Sequence, residues 1–275
     1  MQSHRAMKAV LVVLLGVGLS AFGACGSSEP KWTLVWSDEF EGPARQSPDP
    51  GNWRFDVGTG IDGWGNKQWE YDTARPENAS LDGAGNLAIT AIREEYQGKS
   101  YTSARLNTKN LISRTYGRFE ARIKLPKGQG LWPAFWLLGA DIDTSGWPQC
   151  GEIDIMEYRG QEPQRVTGTL HGPSYSGGGA VTGSHDLPAG TFFNDDFHVF
   201  ALEWTPDWIA WELDGAVWQV VVPNGIPATG TWVFDHPFYI LLNVAVGGNY
   251  VGNPDPAVFP QVTLVDYVRV YERAP

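Results

Sequence analysis

The chain has 275 residues, including 33 Gly, 19 Pro and 13 Trp, a size at which one large all-β domain with a substantial core is ordinary. Its 31 acidic residues outnumber 20 basic ones for a formal net charge of −11, which argues against nucleic acid or an anionic membrane surface as partner. A neutral polymer is compatible with that charge.

Residues 1–25 have the form of an export signal, with Arg5 and Lys8 ahead of an apolar run at 9–24 that is short for a membrane span. The run ends in Phe22-Gly23-Ala24-Cys25, similar to a bacterial lipoprotein processing site except that Phe22 stands where Leu is usual. Cys25 is then the expected lipidation site, and the protein is expected to be exported, either secreted or held at the cell surface by that lipid alone. With Cys25 acylated, Cys150 has no partner, and burial as a small apolar residue is its expected fate. Residues 26–31 are a polar tether, and 32–275 form a single domain with no second boundary.

From Trp32 onward, turn signals such as Asp82-Gly83, Asp214-Gly215 and Asn224-Gly225 separate short segments rich in aromatic and β-branched residues. There is no internal repeat and no long amphipathic helix, so an all-β sandwich is expected. Residues 117–126 alternate cleanly, with Arg118, Glu120, Arg122 and Lys124 on one face and Phe119, Ala121, Ile123 and Leu125 on the other. The charged face is expected to meet solvent, and Pro126 ends the strand. At 131–138, alternation puts Trp132, Ala134 and Trp136 together, with Phe135 and Leu137 opposite. Two indoles flanking a small residue suit either a sugar platform or a core.

The stretch Gly151-Glu152-Ile153-Asp154-Ile155-Met156-Glu157-Tyr158 carries three carboxylates in six residues. In a strand, Glu152 and Asp154 share a face, but strict alternation sends Glu157 inward. One extra residue at Ile155-Met156, taken up as a β-bulge, returns Glu157 to the carboxylate face. Such a row of acids drives its members' pKa values apart, which is what acid–base chemistry on a glycosidic bond requires. A solvated face or a calcium site is the bland alternative, but Ile, Ile and Met between the acids indicate a half-buried central strand. Glu152 and Glu157 suit the roles of nucleophile and general acid/base, with Asp154 tuning Glu152.

The next strand, 166–171, places Thr167, Thr169 and His171 on one face, where His171 is within reach of the sugar or the acids. The five histidines offer no metal-binding spacing. Residues 196–204 and 209–222 are scaffold strands, the latter a hairpin turned at Asp214-Gly215. Residues 238–248 are a buried strand, and 262–271 close the chain.

Taken together, Trp36-Ser37-Asp38-Glu39-Phe40, Tyr116-Gly117-Arg118-Phe119-Glu120-Ala121-Arg122, Trp132-Pro133-Ala134-Phe135-Trp136, the acidic strand, Leu170-His171-Gly172, Ala245-Val246-Gly247-Gly248 and Asp266-Tyr267-Val268-Arg269-Val270-Tyr271 resemble glycoside hydrolase family 16. The likeness is to its laminarinase-type members, over residues 32–272, and it rests on the order of these motifs. It implies a β-jelly roll of two curved antiparallel sheets, concanavalin A-like, with a β-glucan lying across the concave one. It also implies catalysis by Glu152, Asp154 and Glu157, with a cleft shaped by Trp132, Trp136, Trp147 and His171 and with Asn66 and Arg105 on sugar hydroxyls. No cofactor is required for catalysis. A structural calcium is common in such proteins, and Asp266 with the region of Glu39 is where its ligands are expected. The expected activity is retaining endo-hydrolysis of β-1,3-glucosidic bonds by a monomer. A non-catalytic glucan-binding jelly roll, or action on mixed-linkage glucan or a galactan, are the competing readings.

Overall fold

The structure, a computed structural model, describes residues 32–273; the export signal, Cys25 and the tether lie outside the described residues. Among the described residues no helix is long and apolar enough to cross a membrane. In chain order the strands are β1 (Trp32–Asp38), β2 (Arg54–Phe55), β3 (Glu70–Asp72), β4 (Ala79–Leu81), β5 (Leu87–Tyr96), β6 (Lys99–Ser103), β7 (Arg105–Asn107), β8 (Ser113–Arg114) and β9 (Gly117–Lys124). They continue with β10 (Leu131–Gly139), β11 (Glu152–Tyr158), β12 (Arg165–His171), β13 (Val181–Asp186), β14 (His198–Trp204), β15 (Ile209–Leu213), β16 (Ala216–Val221), β17 (Phe238–Val246) and β18 (Gln261–Arg273). One four-residue helical turn, Ile142–Ser145, precedes β11.

Two sheets result. The scaffold sheet runs β16-β15-β14-β9-β18-β5-β6-β3, with β1 on β18 and β4 on β5; the site sheet runs β13-β12-β11-β10-β17-β7-β2, with β8 on β17. Every pairing is antiparallel except β3 with β6. The expected two-sheet sandwich of antiparallel character is therefore the fold.

Alternation explains the packing. From the scaffold sheet, Phe119, Ala121 and Ile123 point inward; from the site sheet, Phe135, Leu137, Ile153, Leu170, Leu242 and Val244 meet them in one continuous core. Full burial of a side chain such as Leu137 contributes about 1.5–3 kcal/mol. The opposite face of the site sheet carries Trp132, Ala134 and Trp136, which pack in two smaller clusters outside that core. Cys150 is buried in one of them, as expected, and burial pushes its thiol up to about 12. Asp214 and Gly215 both adopt positive φ, the backbone a two-residue hairpin requires between β15 and β16.

The charged face of β9 corrects the sequence reading. It is not a simple solvent face: Arg118 is enclosed by Glu120, Glu203 and Glu212 at 3.1, 3.3 and 2.6 Å, and Tyr271 donates to Glu120 at 2.9 Å. The reason is position. β9 is interior to its sheet, and long side chains from β14, β15 and β18 close over it.

Candidate active site

The acidic strand is bulged where expected. Against β12, Asp154 pairs with Thr169 and Glu157 with Thr167, so Ile155 and Met156 together oppose the single residue Gly168. Both go into the core, Ile155 at 3 % and Met156 at 1 % exposure, and Glu157 returns to the face of Glu152 and Asp154. The other sheet holds the distortion in place: the Trp211 indole N–H donates to the Asp154 carbonyl at 2.8 Å. Glycine is required opposite the bulge, because a Cβ on Gly168 would lie 2.5 Å from Cδ1 and Nε1 of Trp211.

Each acid has its own set of partners. Glu152 accepts from the Trp147 indole N–H at 2.7 Å, and Glu157 accepts from the Trp132 indole at 3.1 Å and the Thr169 hydroxyl at 3.4 Å. Burial, then the charge of Asp154, raises the Glu157 carboxyl well above the ordinary range, against an opposing pull from His171. Burial, then Glu152, does the same to Asp154. Two carboxyls of this strand are thus inclined to stay protonated, which suits either of them to give up a proton.

His171 Nε2 lies 3.1 Å from Asp154 Oδ2 and 3.9 Å from Glu152 Oε1, but its approach to Asp154 is poorly aligned and Oδ2 is a buried oxygen without a well-formed hydrogen bond. The Gly177 amide donates to His171 Nδ1 at 3.1 Å, which leaves the neutral ring its proton on Nε2. Ligand atoms of Glu152, Asp154 and His171 come within 4.8 Å of one another, and with Nδ1 occupied by the Gly177 amide it is the Nε2 edge that His171 turns to the acids.

Residues 66–258 match the family model for glycosyl hydrolases family 16. The chain belongs to that family and is a glycoside hydrolase. It is 45 % identical to a β-glucanase of Rhodothermus marinus over 93 % of this chain and 91 % of that one, and 41 % identical to a glucan endo-1,3-β-glucosidase of Cryptopygus antarcticus over 83 % and 85 %. The solved endo-β-1,3-glucanase of Pyrococcus furiosus is 46 % identical with a TM-score of 0.84, covering 90 % of this chain and 97 % of that one.

In this family 16 chain the residues expected to shape a cleft come from β7, β10, β12 and the loops before β3 and β11. Trp132 and Trp136 stand on the outer face beside the acids, and their indole N–H groups are occupied by Glu157 and by Asn243 Oδ1 at 2.8 Å. Trp147, 47 % exposed, lies beside His171 with ring centroids 5.8 Å apart. Arg105 lies across β17 from the acids, its guanidinium between the rings of Trp64 and Trp136 at 4.6 and 4.7 Å, with its Nε donating to Asp56 at 3.1 Å. Asn66 is half-buried, in the turn Gly63–Lys67 beside Trp64, its carbonyl accepting from the Asn249 amide at 2.8 Å.

Sequence reasoning missed Trp64, Asp56, Asn243 and Tyr250, which stacks 4.8 Å from Trp132. Asn243 carried a usable signal, as a lone amide in the apolar run of β17. Trp64 and Asp56 carried none, because they sit in irregular backbone.

The expected calcium ligands are engaged otherwise. Glu39 receives both Nε and Nη2 of Arg269 at 2.9 and 2.7 Å, and that pairing holds its carboxyl below the usual range. Asp266 receives Arg122 at 2.6 Å. Calcium needs several convergent oxygens, and as placed these two side chains form arginine pairs that do not fit an oxygen cage.

Proposed function

We propose that this glycoside hydrolase is an exported, retaining endo-β-1,3-glucanase that cleaves internal bonds of laminarin-like glucans. The observation that carries the proposal is the bulge, which turns Glu157, with its raised pKa, to the same wall as Glu152. Glu157 donates its proton to the glycosidic oxygen as the bond from C1 to that oxygen breaks. The Glu152 carboxylate attacks C1 and forms a covalent glycosyl-enzyme. Glu157, now ionised, takes a proton from water; the hydroxide bonds to C1, Glu152 leaves, and the configuration at C1 is retained. Asp154 keeps its proton and offers it to Glu152, withdrawing charge as that group leaves.

Trp132 and Trp136 are each 8 % exposed, with their N–H groups partnered and a ring face against Tyr250 or Arg105, so they shape the floor of the cleft, and the 47 % exposed Trp147 offers the open ring for an apolar face of glucose. The exposed Trp147, together with His171, lines the cleft on the other side of the acids, and Arg105 and Asn66 serve hydroxyls at its far end. The name of the Cryptopygus relative supports the linkage, and the excess of acidic residues disfavours a sulfated galactan. The signal-like residues 1–25 and Cys25 support a secreted or lipid-anchored protein; a monomer with no cofactor in the chemistry completes the reading.

The test is incubation with laminarin, mixed-linkage glucan and agar, with reducing ends assayed, products sized and the first-formed anomer read by NMR. Internal cleavage of laminarin to the β-anomer is expected. The variants Glu152→Gln and Glu157→Gln should each lose at least about a thousandfold in kcat with unchanged Tm. Laminarin binding without cleavage would instead mark a glucan-binding protein.

A further inference from the structure

Two buried carboxylates, Glu70 and Asp72, have no part in the chemistry above. They share a face of β3, and both are almost fully buried. Asp72 sits at the neck of the segment 58–72: its amide donates to the Gly58 carbonyl at 2.8 Å, and its carbonyl accepts from the Gly58 amide at 2.9 Å. Its side chain reaches back into the same loop, where Oδ2 accepts the Trp64 indole N–H at 2.8 Å. Its other oxygen, Oδ1, is buried without a partner.

Trp64 is held in an unfavourable backbone. At φ 53° and ψ 32° it occupies the left-handed region, which a bulky residue adopts only where its surroundings fix it. Those surroundings are Asp72 at the indole nitrogen, Arg105 across the ring, and Gly60, where a Cβ would lie 2.4 Å from the ring. Arg105 in turn is clamped between Trp64 and Trp136, and Asp56 takes its Nε. Among the described residues neither Nη of Arg105 has a hydrogen-bond partner. β7 lies three strands from β11, so Arg105 is about 14 Å along the cleft from the acids.

We propose that Asp72 is the positioning residue for the far end of the cleft: by fixing the Trp64 indole it holds Arg105 between two tryptophans, with its terminal nitrogens free for the hydroxyls of a bound glucan. This rests on the glucanase reading and adds to it a buried anchor that touches no sugar. A residue of this kind acts on the binding of a chain long enough to reach β7 and leaves the bond-breaking step alone.

The experiment compares steady-state kinetics on laminarin for the parent enzyme and for Asp72→Ala, Asp72→Asn and Trp64→Phe, with Tm measured alongside. Asp72→Ala removes the acceptor, and Trp64→Phe removes the donor while keeping a ring over Arg105. Each should raise KM about fivefold or more with kcat within about twofold, and the double variant should be no worse than the worse single one. Asp72→Asn keeps an acceptor and should restore the parent KM. The proposal is overturned if Asp72→Ala folds with an unchanged KM, if Asp72→Asn is as impaired as Asp72→Ala, or if Trp64→Phe has the parent KM. If Asp72→Ala fails to fold, Trp64→Phe and Asp72→Asn still decide it. A folded parent enzyme that leaves laminarin uncut refutes the activity itself, an outcome visible before any variant is compared.

Discussion

Removing the indole N–H of Trp132 isolates the tuning of the acid. In Trp132→Phe the ring remains against Tyr250, and Glu157 Oε1 loses the donor 3.1 Å away. A hydrogen bond to an ionised carboxylate is worth about 1.5–3 kcal/mol and one to the protonated acid about 0.5–1.5, so the bond favours the anion by about 1 kcal/mol. At 1.36 kcal/mol per unit that is about 0.7 of a pKa unit. Trp132 is among the groups that lower the Glu157 pKa, so its loss moves that pKa further upward. Catalysis needs Glu157 protonated, and the basic limb of kcat/KM against pH should therefore move up by about that amount, with the acidic limb unmoved. The assay is a set of initial rates on laminarin between pH 4 and 10 for parent and variant. A basic limb that stays within about 0.2 of its parent position, or moves down, would refute the assignment of Glu157 as the proton donor under Trp132 control.

Two further expectations concern the frame. Burial raises Glu70 to about 7 from an ordinary value of 4.5, so the folded protein keeps a proton that the unfolded chain releases first. Stability from this group is full below about pH 4.5, falls as pH rises, and by about pH 7 has lost roughly 3 kcal/mol. The difference in unfolding free energy between Glu70→Gln and parent, measured by denaturant titration across pH 4–8, should change in the variant's favour as pH rises; a difference independent of pH contradicts the argument. In the scaffold sheet, Arg118→Ala leaves Glu120, Glu203 and Glu212 together without their cation and should cost about 3–5 kcal/mol by the same titration at pH 7. A loss under about 1 kcal/mol would mean that solvent screens the cluster.

The acidic strand was legible because two rules conflicted within it. Period two assigned Ile155 and Met156 to different faces, yet both are apolar and Glu157 is not, and one extra residue resolves the conflict. Trp132 and Trp136 could be placed on a shared face, but alternation does not say whether that face meets the main core; the packing puts it outside that core, in two smaller clusters. The β9 charges were misjudged for a related reason. Their partners Glu203, Glu212 and Tyr271 lie 85, 94 and 151 residues from the groups they meet, and no local pattern announces them. The Asp72–Trp64 contact is only eight residues long, but it crosses irregular backbone rich in glycine, where periodicity carries no information.

The Trp211 hydrogen bond to Asp154 ties the acidic strand to the scaffold sheet. Drift at Trp211 or Gly168 would disturb the spacing of the acids even though neither residue carries one of the three carboxylates. The rim segments carry no such obligation. Natural variation in this lineage can accordingly be expected to rewrite which polysaccharide is gripped while the cutting tool, welded to its backing, stays as it is.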